Sequence, residues 1–313
     1  MENHRNRGLQ YLVKNKANKT LPDWPYMRTY EHKEMRFRSS TFRWGERTYL
    51  MGIINVTPDS FSGDGIHKNV EEVVSFARAL VEAGADCIDI GGESSRPNAE
   101  AITEEVELER VLPAVKAICD AVKVPVSIDT RRSSVAKEAI DLGAEIINDI
   151  YGLQGDSDMA ALCARSGAAV VLMHNQRNYE SSTVQKSLDA GWAESLKLAK
   201  KAEIKKNRII LDPGFGFGWL PEENLEILSS FHKFQTYQLP LLLGPSRKST
   251  LGIVLGDLPT EERLEGTVAA SVLAVAGGAD IVRVHDVVEV LSLIHISEPT
   301  RRTPISYAGF CVK

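Results

Sequence analysis

Polar residues recur at the ends of short apolar runs along this chain: Asn55, Asp89, Asp129, Asn148, His174, Asp212, Ser246-Arg247-Lys248, and Arg283 with His285. A single aspartate at the end of a strand reads about equally well as a helix cap or as a ligand contact. One such residue on strand after strand is harder to explain by capping. Asp129, Asn148 and Asp212 supply hydrogen-bond acceptors. That suits a ligand edge rich in N–H donors, of aminopyrimidine, guanine-like or pterin type, better than a sugar phosphate. Buried carboxylates are costly unless compensated, so Lys248 and the ligand's own N–H groups must offset them. Arg283, His285, Arg96 and Asn55 offer donors and a metal-capable oxygen to a polyanion.

Loops rich in glycine and proline adjoin these residues. Thr57-Pro58-Asp59-Ser60-Phe61-Ser62-Gly63-Asp64-Gly65 follows the first strand, and Gly91-Gly92-Glu93-Ser94-Ser95-Arg96-Pro97 follows the second. Both read as mobile lids, with an ordinary turn cluster as the plainer alternative. In Asp212-Pro213-Gly214-Phe215-Gly216-Phe217-Gly218, alternating glycine and phenylalanine allow close backbone approach and provide an aromatic wall.

The elements that must position these groups are eight β-branched runs, at 49–55, 87–89, 124–129, 145–149, 168–174, 208–212, 239–244 and 281–285. Helical periodicity fills the intervals at 70–83, 103–121, 133–142, 157–166, 188–206, 222–237 and 260–277, with Pro113 expected to kink or restart the second. Several helices run into Gly-Ala before the next strand, as where a helix stops at a left-handed glycine. Alternating apolar strands and helices predict a parallel sheet covered by helices. No GxGxxG opens a helix after the first strand and no GxxxxGK[ST] occurs, which argues against a doubly wound nucleotide fold. Polar residues at the C-terminal ends of the strands instead favour a closed (β/α)8 TIM barrel.

The 313 residues are 43% hydrophobic and 25% charged, ordinary for a globular protein. The net charge of −5 argues against a nucleic-acid partner. No apolar run approaches the roughly 18 residues of a membrane span and no signal peptide is evident, so a cytoplasmic protein is expected. Cys87, Cys119, Cys163 and Cys311 form no CxxC pair and read as reduced thiols. Residues 1–34 read as a basic extension outside the fold, disordered or preceding a true start at Met27 or Met35. An opening hairpin is expected over 36–49, around Trp44-Gly45-Glu46. The barrel spans 35–290. From Leu291 the spacing loses its helical period and meets Pro299 and Pro304. That string resembles the translation of a transposon-end sequencing adapter, so 291–313 reads as a non-native tail that truncates or alters the last helix.

Seven segments then carry a family resemblance. They are Met51 through Phe61, Gly91 through Pro97, Ser127-Ile128-Asp129-Thr130, Ile147-Asn148-Asp149, Leu211 through Gly218, Ser246-Arg247-Lys248 and Arg283-Val284-His285-Asp286. Ordered and correctly spaced over about Arg36 to Val290, they resemble the dihydropteroate synthase family. The resemblance implies a pterin-binding TIM barrel. It would join p-aminobenzoate to 6-hydroxymethyl-7,8-dihydropterin pyrophosphate, giving dihydropteroate and pyrophosphate in folate biosynthesis. The pterin pocket would be Asp129, Asn148, Met173, Asp212, Gly244 and Lys248, with Asp129, Asp212 and Lys248 the catalytic set. Asn55, Arg96, Arg283 and His285 would hold the pyrophosphate, with Asn55 also on Mg2+. Ser95, Arg96, Pro97, Phe217, Ser246 and Lys248 would border the p-aminobenzoate slot, where sulfonamides compete.

The resemblance also implies a homodimer through the last helices, weakened if the C-terminus is altered. Ser95 departs from a usual Thr, Trp219 from a usual Lys, and 174–177 from a usual Met-Arg-Gly arrangement. The rival readings are a barrel that passes a methyl group from methyltetrahydrofolate to a corrinoid, and a catalytically impaired pterin-binding protein. The first has no use for a pyrophosphate clamp; the second would release no pyrophosphate.

Overall fold

The computed structural model describes residues 30–56, 66–93, 102–178 and 183–297. A short antiparallel hairpin, β1 (Glu34–Arg36) and β2 (Thr41–Arg43), precedes the main sheet. The alternating units follow as β3 (Tyr49–Asn55), α1 (Ile66–Glu82), β4 (Cys87–Gly91), α2 (Glu104–Ala121), β5 (Val126–Asp129), α3 (Ser133–Asp141), β6 (Ile146–Asp149) and α4 (Met159–Ser166). The second half is β7 (Ala169–Met173), α5 (Val184–Lys201), β8 (Ile209–Asp212), α6 (Pro221–Ser230), β9 (Leu242–Leu243), α7 (Ser249–Val254), α8 (Leu264–Ala276), β10 (Ile281–Val284) and α9 (Val287–Ser297). All eight strands of the main sheet are parallel, in the order β8-β7-β6-β5-β4-β3-β10-β9. A parallel bridge between Leu211 and Leu241 brings the two ends together. The chain is the (β/α)8 barrel the pattern predicts.

The two-residue period of a strand sorts side chains between two cores. Leu50, Ile54, Ile88, Ile90 and Ile128 face outward and pack under the helices. Met51, Cys87, Ile146, Val171, Ile210 and Ile281 face inward and fill the barrel. Toward the C-terminal ends of the strands, two to four residues further along, the inward positions become polar or small: Asn55, Asp89, Asp129, Asn148, Asp212 and Gly244. The lower interior is closed by the hairpin, whose Met35 and Phe42 join that inner cluster with Trp44 and Tyr49. Phe42 stacks on Tyr49 with ring centroids 4.1 Å apart. That end of the barrel interior is therefore plugged with apolar side chains, and the polar inward groups lie at the C-terminal end.

Several expected boundaries shift. The β1–β2 hairpin reverses between Arg36 and Thr41, and Trp44-Gly45-Glu46 form the next turn, with Glu46 N donating to Arg43 O at 3.4 Å and the Trp44 ring joining the plug. Tyr30, expected in the extension, docks on the barrel: its hydroxyl donates to buried Asp280 at 2.5 Å. α2 runs unbroken past Pro113. α5 begins at Val184, capped by the Thr183 hydroxyl, and ends at Lys201. The predicted helix at 222–237 divides into α6 and a 3-10 turn over Phe231–Tyr237. α7 was not foreseen, and β9 keeps only two residues of the predicted run. Gly84 and Gly143 stop their helices at positive φ, as the Gly-Ala pattern implied. At the far end, α9 continues to Ser297, past the expected break at Leu291, and buries Val290 and Ile294 one turn apart.

Candidate active site

The polar ends of the strands converge on one cavity floor. Arg283, projecting inward from β10, donates from Nε to Asp89 Oδ2 at 2.6 Å and from Nη2 to Asp129 Oδ2 at 2.7 Å. Asn148 on β6 donates from Nδ2 to the same Asp89 oxygen at 3.0 Å. Strands β4, β5, β6 and β10 are thus tied by one guanidinium, two carboxylates and one amide. Sequence reasoning assigned Arg283 to a polyanion and the acids to a ring edge, as separate groups. The structure places it in direct contact with them, because β3 alone separates β10 from β4 in the closed sheet.

Asp212 ends β8, and its Oδ1 accepts from Gly214 N at 2.8 Å. Gly214 has a φ of +71, and a Cβ there would lie 1.9 Å from the His174 carbonyl oxygen. Only glycine fits that turn. Asn224, fully buried in α6, accepts from Gly216 N at 2.7 Å and donates to Thr250 Oγ1 at 2.9 Å, fixing the loop from behind. The loop so held presents Phe217, and the Lys248 Nζ lies 3.9 Å from its ring centroid, a cation–π contact. Trp219, at the position where Lys is usual, is buried and donates from its indole N–H to Pro213 O at 3.0 Å. It serves as a buttress under the Asp212 loop.

Burial governs the charges. It pushes Asp212 up to about 6 against the Gly214 N–H and the nearby Lys248 and Arg283. It pushes Asp129 up to about 7, with Arg283 pulling the other way. Lys248 is lowered to about 8 by burial and by the charge of Arg283, while Asp212 and Asp129 resist. His285 is lowered to about 3 by burial and by Arg283 and Arg247, so its ring is neutral near pH 7. That neutral ring bridges two neighbours. Asn55 Nδ2 donates to Nε2 at 3.3 Å, and Nδ1 donates to Ser246 Oγ at 2.9 Å.

The residues singled out in the sequence divide accordingly. Asp129, Asn148, Asp212, Lys248 and Phe217 stand around the acid floor, with Met173 buried at the end of β7. Gly244 leaves room beside Arg283, whose Cβ would lie 3.8 Å from a Cβ at Gly244. Asn55, Ser246 and His285 form the adjoining rim, which places Ser246 on the histidine. His174 is buried behind β7 against Trp219, and Arg247 turns away to pair with Asp286. Ser95, Arg96, Pro97 and the first loop, 57–65, lie outside the described residues. Sequence reasoning gave Asp89 no role, and it missed Asn224 and an ionic staple built on Arg132, Glu93 and Glu107. In that staple, Arg132 pairs with Glu93 at 3.0 Å and with buried Glu107, and donates to Ile102 O at 2.5 Å. Asp89 was visible as a strand-terminal acid. Asn224 and Glu107 sit inside amphipathic helices with no local signal.

No group of three or more His, Cys, Asp or Glu suited to a metal occurs among the described residues. Nor, among them, is any helix long and apolar enough to cross a membrane.

Comparison with known proteins gives a consistent set of relatives. The family profile described as "Pterin binding enzyme" matches residues 51–285. A dihydropteroate synthase of Clostridium beijerinckii is 46% identical over 256 residues, covering 82% of this chain and 95% of the relative. That of Bacillus subtilis is 44% identical over 255 residues, covering 81% and 88%. Among solved structures, a Clostridium difficile dihydropteroate synthase determined with pteroic acid superposes with a TM-score of 0.80 at 42% identity, covering 83% of this chain and 99% of the other. A Xanthomonas albilineans dihydropteroate synthase in complex with 7,8-dihydropteroate gives a TM-score of 0.79 at 34% identity, covering 87% and 100%.

Proposed function

The chain belongs to the dihydropteroate synthase family of pterin-binding enzymes, and from that premise we propose how its barrel mouth performs the family reaction. The protein is a transferase: it condenses p-aminobenzoate with 6-hydroxymethyl-7,8-dihydropterin pyrophosphate, giving 7,8-dihydropteroate and pyrophosphate. The observation that carries the assignment of roles is the contact of Arg283 with both Asp89 and Asp129, one step from the Asn55–His285 rim. An N–H-rich ring on the acids and an anion on the rim share a single cavity.

Asp129, Asn148 and Asp212 accept hydrogen bonds from the pterin edge, Lys248 balances the floor, and Met173 and Gly244 shape its walls. Arg283, His285 and Asn55, with Arg96 from the second loop, receive the pyrophosphate. His285 acts there as a neutral hydrogen-bonding ring, so the positive charge comes from the arginines. The bond between the methylene carbon and the pyrophosphate oxygen breaks first, and its electron pair leaves with the oxygen. The electron-rich pterin spreads the positive charge left on the methylene. The p-aminobenzoate nitrogen then attacks that carbon and loses a proton. Phe217, Lys248, Ser246 and residues 95–97 border the slot for this amine, where a sulfonamide would compete. No protein nucleophile is required.

A magnesium ion fits as a partner of the leaving group. Among the described residues, the side-chain oxygen of Asn55 is a hard donor at the rim, and the ion would complete its shell with pyrophosphate oxygens and water. When bound, it would neutralise charge developing on the leaving oxygens. A homodimer through α8 and α9 is part of the same proposal. Leu273 on α8 and Val288 on α9 are 54% and 61% exposed, large apolar side chains on neighbouring helices.

The test is pyrophosphate release from the pterin pyrophosphate with and without p-aminobenzoate and Mg2+. Release promoted by Mg2+, with dihydropteroate formed when p-aminobenzoate is present, supports the proposal. Pterin binding with no release under any condition would overturn it and favour a binding protein.

A further inference from the structure

We infer that Asp89 is a positioning residue that fixes the donor–acceptor pattern with which the cavity reads its heterocycle. The inference rests on the pterin-binding role proposed above. Asp89 is fully buried at the inward position of β4 and lies beneath the groups expected to touch the ring. One of its oxygens, Oδ2, accepts both from Asn148 Nδ2 at 3.0 Å and from Arg283 Nε at 2.6 Å.

The amide of Asn148 has two faces, one donating and one accepting, and its torsion alone does not choose between them. A carboxylate accepts only. With Asp89 below it, Asn148 must turn its NH2 downward, and its carbonyl oxygen is left to face the cavity. Among the described residues that oxygen has no protein partner, and Asn148 is 4% exposed, as for an acceptor at a pocket floor. Asp89 likewise fixes the guanidinium. With Nε held below, Nη2 reaches Asp129 Oδ2, so one Asp129 oxygen is already occupied before a ligand arrives. The other Asp89 oxygen is buried without a partner, as is the hydroxyl of Ser127, its register neighbour on β5. These groups lie a layer below the ring-reading positions. Asp89 therefore acts through Asn148 and Arg283 and not by contact.

The experiment uses the full chain and two probes, pterin and its 2-oxo counterpart lumazine, which replaces an exocyclic donor with an acceptor. Calorimetry gives the ratio of their affinities. In the wild type, pterin is preferred. In Asp89→Asn, a nearly isosteric change, the residue at 89 can itself donate. The Asn148 amide is then free to invert, and the preference is expected to fall about tenfold, the worth of one buried hydrogen bond. Asn148→Ala is expected to lose the same preference, and adding Asp89→Asn to it should change the ratio no further. An unchanged ratio in Asp89→Asn, or independent losses in the double variant, would overturn the inference. If Asp89→Asn does not fold, the exchange Asp89→Asn with Asn148→Asp restores one donor facing one acceptor. Recovery of folding and of pterin preference supports the inference, and failure to recover either sinks it. A wild type that binds neither probe would instead refute the pterin reading, so the two failures are separable.

Discussion

Arg283 carries more than one duty, and the distances decide what its loss does. A pyrophosphate clamp at the rim could be removed with little effect on the folded protein. A guanidinium bonded to Asp89 and Asp129 cannot, because its removal leaves two carboxylates in the barrel without their cation. Removing one partner of a buried pair costs about 3–5 kcal/mol. Arg283→Met is therefore expected to lower the unfolding free energy read from urea denaturation by that amount and to weaken pterin as well as pyrophosphate binding. A stable variant with normal pterin affinity would contradict this. Asp212 makes a second test at this scale. Its pKa is raised from 3.8 to about 6, so its contribution to folding is complete below about pH 4 and is lost as pH rises through 6. Ligand binding runs the other way, since only the ionised form leaves Oδ2 unprotonated to accept from a ligand while Oδ1 stays on Gly214 N. Pterin affinity should climb by up to about tenfold per pH unit between pH 5 and 6 as Asp212 ionises, and the share owed to Asp212 should level off above. Titration of Asp212→Asn over the same range should show this part of the slope gone.

Elements hold these residues by close packing at a few positions. α5 approaches β7 so nearly that a Cβ at Gly191 would lie 2.0 Å from Nδ1 of His174. Gly191→Ala must push the imidazole toward Trp219 and the Asp212 loop. Overpacking of this kind costs about 1–3 kcal/mol. The variant should melt lower and lose pterin affinity, although residue 191 touches no ligand. An unchanged melting temperature would show that the helix can shift freely. Element identity was largely legible from the chain, since runs such as 49–55 and 281–285 end in polar residues and 133–142 shows a clear helical period. Boundaries were less so. Pro113 suggested a break that packing of Val111, Ala114 and Val115 overrides. Leu291 suggested an end, yet Ile294 finds the core one turn beyond Val290.

For the whole molecule, the exposed apolar side chains on α8 and α9 set the expectation. If they meet a second copy, Leu273→Asp should raise the dimer dissociation constant at least about tenfold in sedimentation while leaving each barrel folded. If residues 291–313 are a non-native tail, a companion prediction follows: a family-like end after Val290 should tighten the dimer. Equal constants would exclude that effect. The opposite end of the barrel is sealed by the hairpin and by Tyr30 on Asp280. A chain begun at Met35 would leave that buried carboxylate with one partner fewer and should melt lower than the full chain.

What the chain determined unaided is the alternation of strand and helix, the polar residue closing each strand, and the types of group brought to the mouth. Those are local properties, since a two-residue period and a terminal aspartate are written in consecutive positions. What the closed sheet decided is which of those groups touch. Asp89, Asn148 and Arg283 lie as many as 194 residues apart and meet only because β10 returns beside β3. Spacing along the chain cannot distinguish a cation facing an anion across a cavity from one bonded to it at 2.6 Å. The curvature of the barrel, and the burial it imposes on every inward charge, makes that choice.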